Sequence, residues 1–195
     1  MSLTYKTLAI VLSILTASLF IACGGSDNVV RDDGQPGQLP ESDFFTAEKY
    51  FEKKDYLNAA VAYRNFIDRN QKDKNVILAL YREGISYLNL SNESEGGDPA
   101  YMEKASAAFE EIIIEHSNDP HWKNYGTDAN ANMKRCHDWL AKYYFDLGLS
   151  CFEKEDYIDA KENFNKASRF VGSVYFKDAQ TYRELCESKL SGKGN

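Results

Sequence analysis

The sequence predicts an all-α chain of stacked helical hairpins, and three observations carry that prediction. Its four prolines, Pro36, Pro40, Pro99 and Pro120, leave residues 41–98 and 121–195 proline-free, which suits long helices because an interior proline removes a hydrogen bond and clashes with the preceding turn. The hexapeptide Phe51-Glu52-Lys53-Lys54-Asp55-Tyr56 returns 101 residues later as Phe152-Glu153-Lys154-Glu155-Asp156-Tyr157, identical at five of six positions. Around each copy, small residues stand at matched offsets from aromatic ones, the pattern of two antiparallel helices in close approach. The expectation is about three hairpin pairs plus a C-terminal capping helix, coiled into a superhelix over residues 43–191. The 195 residues suffice for one domain with a core of its own.

Residues 1–22 carry one charge, Lys6, ahead of an apolar run from Leu8 to Ala22. That is the layout of a secretory signal peptide. Phe20-Ile21-Ala22-Cys23-Gly24 resembles a bacterial lipobox, with Phe20 where leucine is usual. The resemblance implies cleavage before Cys23, lipidation of its thiol and membrane anchoring through several acyl chains. Gly24 is not the aspartate that retains such proteins in the inner membrane, so the outer membrane is implied. Without residues 1–22 the chain has 22 basic and 30 acidic side chains, so lipid rather than charge must hold it there. Residues 23–42 then read as the lipidated cysteine and a flexible Gly/Pro-containing tether, spanning roughly 25 Å.

The first hairpin places Phe44, Ala47, Tyr50 and Phe51 at helical spacing, turns at Lys54-Asp55, and continues with Ala59, Tyr63 and Phe66. The second has Leu80, Gly84 and Tyr87, then Ala105, Phe109 and Ile112. Gly84 and Ala105 are 21 residues apart where Gly148 and Ala160 are 12, so an insertion around residues 91–98 is expected in the turn, with Asp98-Pro99 starting the next helix. Ile112-Ile113-Ile114 is strand-like alone, but Ala105 and Phe109 set a helical period. Gly126-Thr127-Asp128 is expected to stop one helix and cap another running from about 129 to 154. The third hairpin holds Tyr144, Leu147, Gly148 and Cys151, then Ala160, Phe164 and Ala167, with Asp156 as cap and Gly172 ending the second helix. Residues 173–190, with Tyr175, Ala179, Tyr182 and Cys186, form the expected closing helix.

The third hairpin resembles the tetratricopeptide repeat, whose period is about 34 residues. In that reading Ala59, Gly84, Ala105, Gly148, Ala160 and Phe164 pack the repeats. The first helix of each pair would line a groove through Phe44, Glu48 and Phe51, then Tyr81, Ile85 and Leu88, then Phe145, Leu149 and Phe152. About half of these are expected to be covered by neighbouring repeats. Phe44 and Glu48 stand where cochaperone repeats need the Lys and Asn of a carboxylate clamp.

Lipobox, tether and repeats together resemble the BamD (YfiO) lipoproteins. The likeness is most specific in Phe44-Phe45-x-Ala47 leading to Asp55-Tyr56-x-x-Ala59-x-x-x-Tyr63, and in Trp139-Leu140-Ala141-x-x-Tyr144 leading to Tyr157-x-x-Ala160. It implies a non-enzymatic, periplasm-facing scaffold anchored in the outer membrane. Its partners would be a subunit of the barrel-assembly machinery and C-terminal aromatic peptides of client barrels. Members usually carry five repeats, and this chain has room for three or four. Two alternatives stay open at this stage: a periplasmic adaptor for cell-wall or division proteins, and a surface-exposed ligand-binding lipoprotein.

Other chemistry has little support. A net charge of −7 argues against nucleic acid. No constellation points to catalysis or a cofactor. His116, His121 and His137 are the only histidines, and in Cys136-His137-Asp138 adjacent helical side chains diverge by ~100°, which disfavours a metal site. Cys136 and Cys151 would lie roughly 22 Å apart along one helix; Cys151 and Cys186 are open to pairing or to separate burial.

Overall fold

The computed structural model describes residues 40–192, with side chains from residue 43 onward. The lipobox, Cys23 and most of the tether lie outside the described residues. Seven helices follow in order: α1 (Pro40–Glu52), α2 (Tyr56–Arg69), α3 (Val76–Glu93), α4 (Pro99–Glu115), α5 (Trp122–Glu153), α6 (Tyr157–Ala167) and α7 (Phe176–Leu190). Among the described residues there is no strand, and no helix is long and apolar enough to cross a membrane.

Each helix packs on its neighbours in sequence, giving the pairs α1/α2, α3/α4 and α5/α6 with α7 closing the stack. The first helices of successive pairs also meet: α1 touches α3, α3 touches α5 and α5 touches α7. The second helices, α2, α4 and α6, make no backbone approach to one another. The stack therefore curves, with the first helices along its inner side. This is the expected all-α repeat architecture.

One contact recurs in the second and third pairs: Gly84 faces Phe109 and Gly148 faces Phe164. In the first pair Ala47 and Tyr63 hold the corresponding positions, and Ala47 and all three rings are fully buried. A Cβ on Gly84 would stand 2.6 Å from the Phe109 ring, and one on Gly148 would stand 2.7 Å from Phe164. Ala59, Ala105 and Ala160, one turn before those rings, are wholly buried. Small residues let the backbones close, and the rings fill the space beside them.

The repeated hexapeptide shapes the turns. Lys54 and Glu155, its fourth residues, both adopt a left-handed φ of 61°. Asp55 and Asp156 then cap α2 and α6, accepting from the backbone N–H of Asn58 and Asp159.

Three boundaries differ from expectation. Gly126 does not stop a helix but lies inside α5, where a Cβ would meet the Trp122 indole at 2.1 Å; it is small to admit that ring. Trp122, Tyr125 and Met133 pack onto the first core, so burial extends α5 to 32 residues, about 48 Å. The insertion after Gly84 mostly lengthens α3, which runs to Glu93 and leaves residues 94–98 as the loop. There Ser91 Oγ accepts from Asp98 N and donates to Asp98 O, both at 3.0 Å, and Asp98 caps α4 as expected. Gly172 does not end α6, which stops at Ala167; it is left-handed (φ 93°) in the following loop, and α7 begins at Phe176. That loop sends Phe170 back against the first core and His137.

Burial divides into two clusters, one from Ala47 to Leu140 and one from Phe145 to Cys186, with Tyr144 packed against both. Gly148→Leu should wedge α5 from α6 and cost about 3 kcal/mol or more, with Gly148→Ala costing less, read by urea denaturation. Glu155→Gly should instead stabilise by up to about 1 kcal/mol in the same assay, because glycine accepts the left-handed conformation without the Cβ penalty.

Candidate functional site

Three rows of equivalent positions run along the inner helices, and they contain the nine groove residues expected from sequence. The first row fills the wedge between a helix and its partners. Phe44 meets Phe66 at 5.3 Å and Tyr63 at 6.0 Å; Tyr81 meets Tyr125 at 5.5 Å and Phe109 at 5.9 Å. Phe145 lies among Phe164, Tyr175 and Tyr182 at 5.4–5.8 Å and is only 8% exposed. In the third row Phe51 packs on Tyr56 and Tyr63, and Phe152 on Tyr157 and Tyr182. Leu88, between them in the row, is 7% exposed. Ile85 and Leu149, in the middle row, are half-buried against the first and second cores respectively. Seven of the nine thus keep part of their surface open, while Leu88 and Phe145 are buried. The six residues expected to pack the repeats are all buried.

Glu48, the remaining middle-row residue, organises a polar cluster where α1 meets α3. Its carboxylate accepts the Tyr63 hydroxyl and lies 3.7 Å from Nε of Arg82. Burial, reinforced by the hydrogen bond to Glu48, pushes the Tyr63 phenol well above its ordinary value. The Arg82 guanidinium stacks over Phe51, 4.4 Å from the ring centroid. Its Nε is buried without a hydrogen-bond partner among the described residues, and its side chain is 35% exposed.

Further along, Trp139 and Tyr143 stack in parallel, 5.3 Å apart and 9° from coplanar. With Gly96, Lys142 and Asp146 they line an open depression of about 260 Å³. Lys142 and Asp146 are themselves an ion pair one helical turn apart.

Sequence reasoning found the rows but missed Arg82 and the Trp139–Tyr143 shelf. The shelf was legible, since i and i+4 share a helix face. Arg82 was not, because Phe51 and Glu48 reach it from another helix.

Among the described residues no group of three His, Cys, Asp or Glu side chains is placed to hold a metal. Cys136, Cys151 and Cys186 are unbridged thiols, and burial pushes that of Cys136 up to about 12, far from the reactive range.

Paired helices, a small-residue seam and a half-open aromatic inner face define a repeat scaffold, a class that presents surface to other proteins. The chain belongs to the YfiO family of outer membrane lipoproteins, whose family model matches residues 35–160. The match begins before α1 and ends within α6. No curated protein matches the chain.

The Tyr63–Glu48 bond joins α1 to α2 at the base of the inner face. Tyr63→Phe should cost about 1.5–3 kcal/mol, the range for a hydrogen bond to a charged acceptor, measured as a lower urea midpoint.

Proposed function

We propose that this protein is a lipid-anchored, periplasm-facing scaffold that holds partner proteins along its inner helical face during assembly of outer-membrane β-barrel proteins. Residues 1–22 direct export, Cys23 carries the lipid, and the residues from 24 to the start of α1 at Pro40 tether the helical domain. The partners are a barrel-assembly subunit and the C-terminal segments of client barrels. No catalytic step is assigned to the chain.

The observation that most supports this reading is Arg82. An arginine whose side chain is 35% exposed, seated on the Phe51 ring beside half-open aromatic rows, suits a peptide that ends in an aromatic residue and a free carboxylate. The guanidinium takes the carboxylate, and the rings take the side chain. Glu48 moderates the attraction, which fits a transient client better than a permanent one.

A fluorescent peptide ending in Phe with a free carboxylate should bind the purified protein. Arg82→Ala or amidation of the peptide should each weaken binding by about tenfold, equivalent to ~1.4 kcal/mol. Equal affinity of the acid and amide peptides would defeat the assignment of Arg82. In cells, Cys23→Ser should move the protein from the membrane to the soluble fraction. Crosslinking of the lipidated protein should capture a barrel-assembly subunit; recovery of peptidoglycan enzymes instead would favour a cell-wall adaptor.

A further inference from the structure

The outer side of the first two pairs, away from the inner face, carries a groove. Both α2 and α4 pack along α3, but their backbones do not approach each other, so α3 is the floor between two helical walls. The side chains that meet across it fix which faces line it. Arg64 of α2 binds Glu83 of α3, Nη2 to Oε2 at 2.8 Å, and reaches Glu111 of α4, with Nη1 and Nη2 each 3.1 Å from Oε2. Asp68, one turn along α2, stands 4.0 Å from Nη1. These contacts close one end of the groove.

Towards the other end the same stripes turn apolar. Val61 and Leu57, one and two turns before Arg64, share its face of α2 and are 50% and 48% exposed. Opposite them, Tyr87 of α3 stacks on Tyr101 of α4 with 6.1 Å between centroids. Lys104, two turns before Glu111 on α4, lies over both rings at 5.4 and 5.8 Å, and among the described residues it makes no ion pair. Ala107, between Lys104 and Glu111, is exposed and adds no bulk. An apolar centre therefore separates a cation at one end from two rim carboxylates at the other, where both share a guanidinium that Glu83 already engages. The C-terminal hairpin has no counterpart, because among the described residues no helix follows α7 to make a second wall.

We propose that this outer groove seats one amphipathic helix of a partner protein, which brings an acidic residue to Lys104, an apolar pair to Leu57, Val61 and Tyr87, and a basic residue to Asp68 and Glu111. Lys104 and Glu111 stand two turns apart on α4, about 10.5 Å along its axis. A helix lying in the groove presents matching charges at the same spacing, with the positions between them on that face free for the apolar pair. The walls are helices whose backbone groups are already bonded, so there is no strand edge to extend, and a helix laid in a groove is the mode of recognition they allow. The apolar centre and charged rim have the anatomy of a protein interface. Opposite charges at the two ends also reject a helix of uniform sign, which gives specificity. The groove lies across α3 from the inner face, so both surfaces can be filled at once, and its occupant does not need Arg82.

The test is a titration of the full-length protein with a fluorescent, alanine-based helical peptide. One face of the peptide carries Glu, two leucines and Arg, with Glu and Arg two turns apart. It should bind about tenfold more tightly than peptides with two Arg or two Glu in those places. Lys104→Glu should reverse the order and favour the two-Arg peptide. Val61→Asp should weaken binding by about tenfold with an unchanged urea midpoint, since Val61 is half exposed. Arg82→Ala should leave the affinity as it is, and a proline at the centre of the peptide should abolish binding. Equal affinity for the three peptides, an unaltered order in Lys104→Glu, or full binding of the proline peptide would overturn the proposal. Loss of binding in Arg82→Ala would do the same, by placing the peptide on the inner face.

Discussion

The contact of a small residue with a buried ring sets the separation of the two helices in every pair, and the rest of the structure follows from it. Gly84 and Gly148 leave no room for a methyl group beside Phe109 and Phe164, and Ala47 and Tyr63 hold the corresponding positions in the first pair, both fully buried. Close backbones on one side oblige the inner helices to carry their large side chains at the flanks, as Phe44, Tyr81 and Phe145 do. Those flanking rings reach the next helix in turn. Spacing within a pair and stacking between pairs are therefore one constraint expressed twice.

The two joints of the stack are built from different chemistry. Between the first and second pairs, α3 sends Arg82 inward to Glu48 and Phe51, and Glu83 outward to Arg64. Between the second and third pairs, α4 packs along α5, the Tyr144 hydroxyl donates to Glu103 at 2.8 Å, and α5 runs unbroken through both cores. Beneath these polar contacts α2 packs along α3 as α4 does along α5, and one apolar cluster runs from Ala47 to Leu140.

Membership in an outer membrane lipoprotein family joins these features to a compartment. Rings half-buried along the inner face, such as Phe51 and Tyr81, are covered in part by neighbouring helices.

The sequence by itself determined the helical class, the pairing and the turns. Proline placement, the repeated hexapeptide and the small-to-ring offsets are local, and local spacing dictates which helix face is apolar. Ala59, Gly84, Ala105, Gly148, Ala160 and Phe164 were legible for that reason, as were the caps Asp55, Asp98 and Asp156. Gly126 and Gly172 misled because a glycine's role depends on what lies against it: the Trp122 indole in one case, a loop extending beyond α6 in the other. Only the tertiary structure decided that Leu88 and Phe145 are buried while Phe51 and Tyr81 stay half-open. It alone brought Arg82 to Phe51 and Arg64 to Glu83 and Glu111. Charges that meet across three helices leave no periodic trace in the chain, because the field that pairs them exists only once the helices have packed.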